Sequence, residues 1–163
     1  MPRLNRDVQH RISLTLNGRA VSGFTEPRML LTDFLRQVLS TNSVHVGCEH
    51  GVCGACTVRI NGKAVRSCLS LAVQSDGHKI DTLDGMTDRD DKLGDLQEAF
   101  RKHHALQCGY CTPGVLMSLD DYLERVPDPS EDDIRDMLSA HLCRCTGYVG
   151  MVRAALDVAA QRK

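Results

Sequence analysis

Between Gly47 and Cys56 the chain reads Gly-Cys-Glu-His-Gly-Val-Cys-Gly-Ala-Cys, and no other stretch constrains its fold as strongly. Cys48, Cys53 and Cys56 stand in a C-x4-C-x2-C spacing, and Cys68 follows after eleven intervening residues. Glycines 47, 51 and 54 are interleaved with these thiols. That predicts a loop whose backbone approaches an object closely and takes positive φ, which glycine does without a Cβ clash. Such a loop turns amide N–H groups inward and forms a cradle for an anion.

A C-x4-C-x2-C run with a distant fourth cysteine is the spacing that holds a 2Fe-2S cluster in plant-type ferredoxins. Zinc is the alternative, but zinc ribbons use two short C-x2–4-C knuckles, and this loop lacks that pairing. The whole chain has eight cysteines in 163 residues. Four disulfides would need a secretory route, and residues 1–10 contain no apolar core of a signal peptide. No apolar stretch approaches the ~18 residues of a membrane span. The expected setting is cytoplasmic, with peripheral attachment at the inner face of the membrane left open. In such a reduced compartment clustered thiols point to metal rather than to disulfides. A net charge of -1 gives no basic footprint for nucleic acid. Hydrophobic residues make up 42% and aromatics 4%, with no Trp, so the core must be aliphatic, and metal staples would help it.

Ile12, Leu14 and Leu16 alternate with polar residues as in a half-buried strand. Asn17-Gly18 is a hairpin signal, and residues 20–24 return as a second strand. Residues 29–39 carry Leu31, Phe34, Leu35, Val38 and Leu39 at helical spacing. Residues 57–60 and 63–66 form another hairpin across Asn61-Gly62. Residues 69–73 read as a short helical turn, and residues 79–83 as a last strand. This is a small mixed sheet with one helix across it, a β-grasp arrangement. Residues 84–94, rich in Asp and Gly, read as a linker. Four helices follow. They are expected at 96–104, from Thr112-Pro113 onward with Thr as N-cap, at 134–139 behind a capping box from Ser130 to Asp133, and from about 150 to the end. The fold class is therefore α+β. Residues 1–84 form a β-grasp ferredoxin-like domain, and residues 85–163 a helical domain.

The helical half holds a second constellation. Cys108 and Cys111 form C-x2-C, and Cys143 and Cys145 form C-x-C after 31 intervening residues. In extended backbone, side chains i and i+2 point the same way, so both thiols of a C-x-C can serve one site. Cys111 lies at the start of a helix, whose unsatisfied N–H groups and dipole favour a thiolate. The spacing by itself suits iron–sulfur or zinc.

Gln107-Cys-Gly-Tyr-Cys-Thr-Pro-Gly114 and Cys143-Arg-Cys-Thr-Gly-Tyr148, behind the loop at 47–58, make the chain resemble the iron–sulfur subunit of the xanthine oxidase, or molybdenum hydroxylase, family. The resemblance runs from about residue 12 to 160. Its form is that of the separate small subunits of bacterial carbon monoxide dehydrogenase, quinoline-type dehydrogenases and 2-furoyl-CoA dehydrogenase. The resemblance implies that Cys48, Cys53, Cys56 and Cys68 hold a 2Fe-2S cluster on the flavin side. It implies that Cys108, Cys111, Cys143 and Cys145 hold a second on the molybdenum side. It further implies that Gln107 contacts molybdopterin, expected in its cytosine dinucleotide form on a large subunit. FAD is expected on a medium subunit, in a dimer of heterotrimers. One position departs. The family often reads Ser-Gly-Asn-Leu before the C-x-C, and this chain has Ser139-Ala140-His141-Leu142. The ligands are untouched, but the hydrogen bonding around that cluster is altered.

The function implied is electron transfer within a molybdenum-dependent oxidoreductase whose substrate site is on a partner. A free-standing ferredoxin or a zinc-binding interaction module is the competitor, and it leaves the helical half without a purpose. Seven histidines offer Rieske-type ligation in principle, but eight thiols already fill two four-ligand sites. His45 and His50 lie where they can influence the first cluster. No G-x-G-x-x-G and no G-x-x-x-x-G-K-[ST] is present, and no self-contained catalytic set can be placed.

Overall fold

Two Asn-Gly pairs close the two hairpins of the sheet. Strand β1 (His10–Leu16) pairs antiparallel with β2 (Arg19–Thr25), and Asn17 and Gly18 between them take φ of 50° and 77°. Strand β3 (Thr57–Ile60) pairs with β4 (Lys63–Arg66) across Asn61 and Gly62, with φ of 50° and 83°. Positive φ at both central residues matches the twist of the flanking strands. Strand β5 (Lys79–Asp81) lies between the hairpins, parallel to β1 and antiparallel to β3. The five-stranded order is β2-β1-β5-β3-β4. This is a computed structural model, and it describes residues 4–87 and 92–163.

One short helical segment crosses the sheet. Helix α1 (Leu31–Asp33) runs directly into a π turn (Phe34–Val38), where a plain helix over 29–39 was expected. Leu31, Phe34 and Leu35 are fully buried against Ile12, Leu14, Val58 and Ile80. Val38 is more exposed, at 38%. The segment packs where β2 has no side chain, because a Cβ on Gly23 would stand 2.7 Å from Val38 Cγ1 and 3.0 Å from Phe34 Cζ. The expected turn at 69–73 is instead two 3-10 turns, Ser67–Leu69 and Ala72–Ser75. The cause is Leu71, which stays extended and bridges Leu30, while Leu31 N donates to Ser70 O and Ala72 N to Met29 O. The last strand stops at Asp81, because the Asn17 side chain takes the Thr82 amide at 2.8 Å. Of the linker expected over 84–94, residues 88–91 lie outside the described residues.

The helical half contains α2 (Asp95–Lys102), α3 (Thr112–Arg125), α4 (Glu131–Ser139) and α5 (Val149–Gln161). Leu96, Phe100, Val115, Leu119, Ile134, Met151 and Val158 are all fully buried in its core. Ser130 caps α4 as expected: its Oγ accepts from Asp133 N, and Asp133 Oδ2 accepts from Ser130 N. The start of α3 differs from expectation. Cys111 occupies the cap position with helical backbone angles, and Thr112 is the first helical residue. Its hydroxyl is buried with no partner among the described residues.

The halves meet where α3 lies on β3. Arg59 of β3 ion-pairs with Asp120 and Glu124 of α3, and its side chain is only 11% exposed. Nearer the thiols, a Cβ on Gly114 would stand 2.1 Å from Gly54 O and 3.0 Å from Gly54 C. The helix can approach the cysteine loop only because position 114 has no side chain. Helix propensity alone favours Ala over Gly by roughly 1 kcal/mol. A collision with backbone cannot be relieved by a rotamer change, so overpacking of about 1–3 kcal/mol should win. Gly114→Ala should therefore lower the melting temperature, and calorimetry of the assembled protein checks the sign.

Candidate metal centres

The β3–β4 hairpin explains the eleven-residue gap before Cys68. It carries the chain away from Cys56 and back, with Thr57 opposite Arg66. The following turn is tied to the loop by Ser67 N and Oγ, which both donate to Cys56 O, at 3.3 and 2.7 Å. Within the loop, the amides of Cys53 and His50 donate to Cys48 Sγ at 3.3 and 3.4 Å. Inward N–H groups are thus present, as expected of an anion cradle. Those donors hold the Cys48 thiol down at about 6. Burial pushes Cys53 up, and pushes Cys68 to about 11 with help from neighbouring Cys56.

The three glycines do not all act alike. Gly51 and Gly54 take φ of 75° and 79°. Gly47 does not take positive φ. Its lack of a side chain gives room to a thiol, since a Cβ there would stand 3.0 Å from Cys53 Sγ.

The second set is built from two loops, one before α3 and one between α4 and α5. Cys145 Sγ donates to Cys108 Sγ at 3.5 Å, and Cys111 is paired with Cys143. Burial, followed by the neighbouring Cys143 thiol, pushes Cys111 to about 12. Burial also raises Cys143, but hydrogen bonds from the Thr146 hydroxyl and from the amides of residues 146 and 145 outweigh it and leave the thiol lowered. Tyr148 fixes this loop. Its hydroxyl accepts from Cys143 N at 2.8 Å and donates to His141 O at 2.9 Å.

All eight cysteines are free, and each interacts within its expected set. Cys53 is acted on by Cys48 and Cys56, and Cys68 by Cys56 and Cys48. Cys111 is acted on by Cys143 and Cys108, and Cys145 by Cys108 and Cys143. Each set is thus two pairs: 48 with 53 and 56 with 68, then 108 with 145 and 111 with 143. That suits a binuclear centre, in which two irons share four thiolates. A single zinc would instead need four donors around one point about 2.3 Å away.

The other expected residues are also located. Gln107 is exposed beside exposed Cys108, and Cys145 is exposed with them. His50 acts through its amide. His45 reaches the second set, since its Nδ1 donates to Tyr110 O at 2.8 Å and its ring stacks on Tyr110 at 4.8 Å. His141 is buried, with Nε2 2.9 Å from Ser118 Oγ and Nδ1 unpartnered among the described residues. Burial, then the charge of Arg66, pushes its pKa down to about 4, so it is a neutral imidazole. The bonding roles of Tyr110, Ser118 and Tyr148 carry no spacing signal in the sequence.

The opposed thiol shifts make a chemical prediction for the cluster-free chain. Cys48 is mostly thiolate above about pH 6, and Cys111 remains a thiol until about pH 12. Only the thiolate is nucleophilic. Iodoacetamide at pH 7 should therefore label Cys48 well before Cys111, as peptide mass spectrometry would show. Equal labelling rates in cluster-free protein that circular dichroism shows to be folded would contradict the geometry.

Comparison with known proteins bears on the whole chain. A family model described as a 2Fe-2S iron-sulfur cluster binding domain matches residues 25–101, and one described as a 2Fe-2S binding domain matches residues 82–156. The chain is 50% identical over 152 residues to the caffeine dehydrogenase subunit gamma of Pseudomonas sp. (strain CBB1), covering 91% of this chain and 90% of that one. It is 48% identical over 150 residues to the nicotine 6-hydroxylase small subunit of Paenarthrobacter nicotinovorans, covering 92% and 90%. The crystal structure of quinoline 2-oxidoreductase from Pseudomonas putida 86 superposes with a TM-score of 0.91 at 47% identity, over 94% of both chains. With two 2Fe-2S domains in sequence and relatives of this kind over nearly its full length, the chain belongs to the small iron–sulfur subunits of the molybdenum hydroxylases, the electron-transfer component of those multi-subunit oxidoreductases.

Proposed function

We propose that Cys48, Cys53, Cys56 and Cys68 ligate one 2Fe-2S cluster and that Cys108, Cys111, Cys143 and Cys145 ligate the other. The observation that carries this reading is the pairing of all eight free thiols within two closed sets. A 2Fe-2S centre, when bound, accepts and releases one electron at a time, which splits the two-electron oxidation of a substrate into single transfers. The chain supplies thiolates, amide donors and dry walls, the factors that set a cluster's potential. Loop amides at Cys48 favour its thiolate, and burial of Cys53, Cys56 and Cys68 excludes water.

The thiols differ in exposure, and this supports an orientation for the subunit. Cys108 and Cys145 are exposed beside Gln107, and we take that face to lie against a molybdopterin-binding large subunit. Electrons enter there, pass to the side of the first set, and leave to FAD on a medium subunit. The cytosine dinucleotide form of the pterin and a dimer of heterotrimers complete the assembly. We place the domain boundary between residues 84 and 85, within the overlap of the two family matches. Among the described residues no helix is long and apolar enough to cross a membrane. The relatives' names carry caffeine, nicotine and quinoline, so a nitrogen heterocycle is the proposed substrate class of the partner.

The purified complex should contain four irons and four acid-labile sulfides per copy of this chain, giving two distinct EPR signals on reduction. Cys53→Ser and Cys111→Ser should each perturb one signal and spare the other. Stoichiometric zinc without iron, or loss of both signals from either change in folded protein, would overturn the assignment.

Gln107 supplies a separate check. Its amide offers both a donor and an acceptor, which suits a pterin edge presenting both. Truncation should leave pterin groups unpaired, at a cost of roughly 1–3 kcal/mol. Gln107→Ala should keep both EPR signals but weaken pterin retention, or slow reduction of the adjacent centre in stopped-flow with substrate. Unchanged occupancy and kinetics would make Gln107 an ordinary loop residue.

A further inference from the structure

The two thiol sets belong to different halves of the fold, yet their loops touch. Leu142 N donates to Cys53 O at 2.9 Å. Cys53 belongs to the first set, and Leu142 is joined by its peptide bond to Cys143 of the second. One hydrogen bond is therefore the only interruption in an otherwise covalent path from Cys53 Sγ to Cys143 Sγ.

The surrounding residues hold that bond in place from several directions. His141 lies directly on Gly54, where a Cβ would stand 2.3 Å from its Nδ1. Its Nε2 is anchored on Ser118 of α3, and the imidazole is almost completely buried. Gly114 at the start of α3 lets that helix press on the same peptide, and Arg66 Nη2 donates to Ala140 O at 2.7 Å. A second attachment lies at Tyr110, between Cys108 and Cys111. Its hydroxyl donates to Val46 O at 2.6 Å, and its own carbonyl accepts from His45 Nδ1 at 2.8 Å. Both loops of the second set are thus fastened to the first loop, one at residues 45–46 and one at residues 53–54. Between the fastenings lies a mainly apolar cavity of about 210 Å³, whose walls include Cys53, Cys111, Cys143 and Cys145.

A loop contact serving only stability has no need to begin on one thiol-bearing residue and end on the immediate neighbour of another. We propose that the Cys53 carbonyl–Leu142 amide bond is the electronic bridge between the two thiol sets, and that His141 and Tyr110 are positioning residues that hold it. This rests on the ligand assignment proposed above. No covalent bond is made or broken in the exchange, and one electron leaves one thiol set as it arrives at the other.

The bridge is a backbone group, and this permits a sharp test in the assembled complex. The Leu142 side chain is 61% exposed, so Leu142→Ala removes little packing and keeps the amide. Leu142→Pro removes the N–H itself. Where proline prevents folding or cluster loading, replacement of Leu142 by its α-hydroxy acid deletes the same N–H and keeps the side chain. The readouts are iron content, the magnetic splitting between the two centres in EPR of fully reduced protein, and freeze-quench kinetics of exchange between them. Leu142→Ala should match wild type. The N–H deletion should slow exchange several-fold with full iron content. His141→Ala and Tyr110→Ala should alter the splitting and slow exchange, and Tyr110→Phe, which keeps the ring stack, should have the smaller effect. Full-rate exchange after N–H deletion would overturn the bridge, and unaltered splitting in both alanine variants would overturn the positioning role. Iron-free or zinc-loaded wild-type protein would instead overturn the ligand assignment, so the two failures are distinguishable.

Discussion

Everything in this fold answers to one constraint: thiolates must be gathered tightly although like charges repel. Eight thiols from separate segments of the chain converge into two groups of four, and sulfur atoms come as close as the 3.5 Å between Cys108 and Cys145. Without metal the gathering is unfavourable. Burial is the chief cause that pushes up Cys53, Cys68 and Cys111, and the bond to Cys108 raises Cys145, with neighbouring thiols adding to each, whereas amide and hydroxyl donors leave Cys48 and Cys143 lowered. Metal reverses the balance, since a coordinating thiol loses its proton and metal binding contributes directly to folding. The aliphatic, Trp-free cores suit this dependence, because each half is small and contains few large aromatic side chains.

The second constraint follows from the first. Loops that wrap an inorganic core cannot be wide, so backbone must meet backbone. Gly54 and Gly114 meet where a single Cβ would collide, and His141 closes over the same point. The neutral imidazole suits that place. It fills the space and bonds Ser118 without placing a charge beside the thiol sets.

Much of this was legible in the sequence, for identifiable physical reasons. Thiol spacing is chemically specific in the first loop, so a 2Fe-2S site was expected there, whereas the second spacing suits iron–sulfur or zinc and its assignment came from the family resemblance. Asn-Gly turns and period-2 alternation located both hairpins, and the Ser130–Asp133 box located α4. What escaped depends on contacts distant in sequence. The π turn after Asp33 and the split turn around Leu71 arise from packing on Gly23 and bridging to Leu30. Thr112 resembled an N-cap by residue type, but Cys111 continues the helical backbone and takes the position. The carbonyl contacts of Tyr110 and Tyr148 were invisible, because a hydroxyl bonded to backbone leaves no pattern of residue types.

The two thiol sets are unequal in a way that bears on direction. The first has three buried members and one half-buried, enclosed by the β3–β4 hairpin and the Ser67–Leu69 turn. The second has Cys108 and Cys145 exposed, and its buried member, Cys111, faces the helical core. Solvent exposure is one of the factors that tune a cluster's potential. Partner binding over Cys108 and Cys145 would change the surroundings of the second set far more than those of the first. Assembly would then adjust one end of the path and leave the other nearly as it is in the free subunit. On the proposed orientation, a large subunit covering that face would complete the surroundings of the second set, which fits a helical half that folds around its own core yet leaves Cys108 and Cys145 exposed.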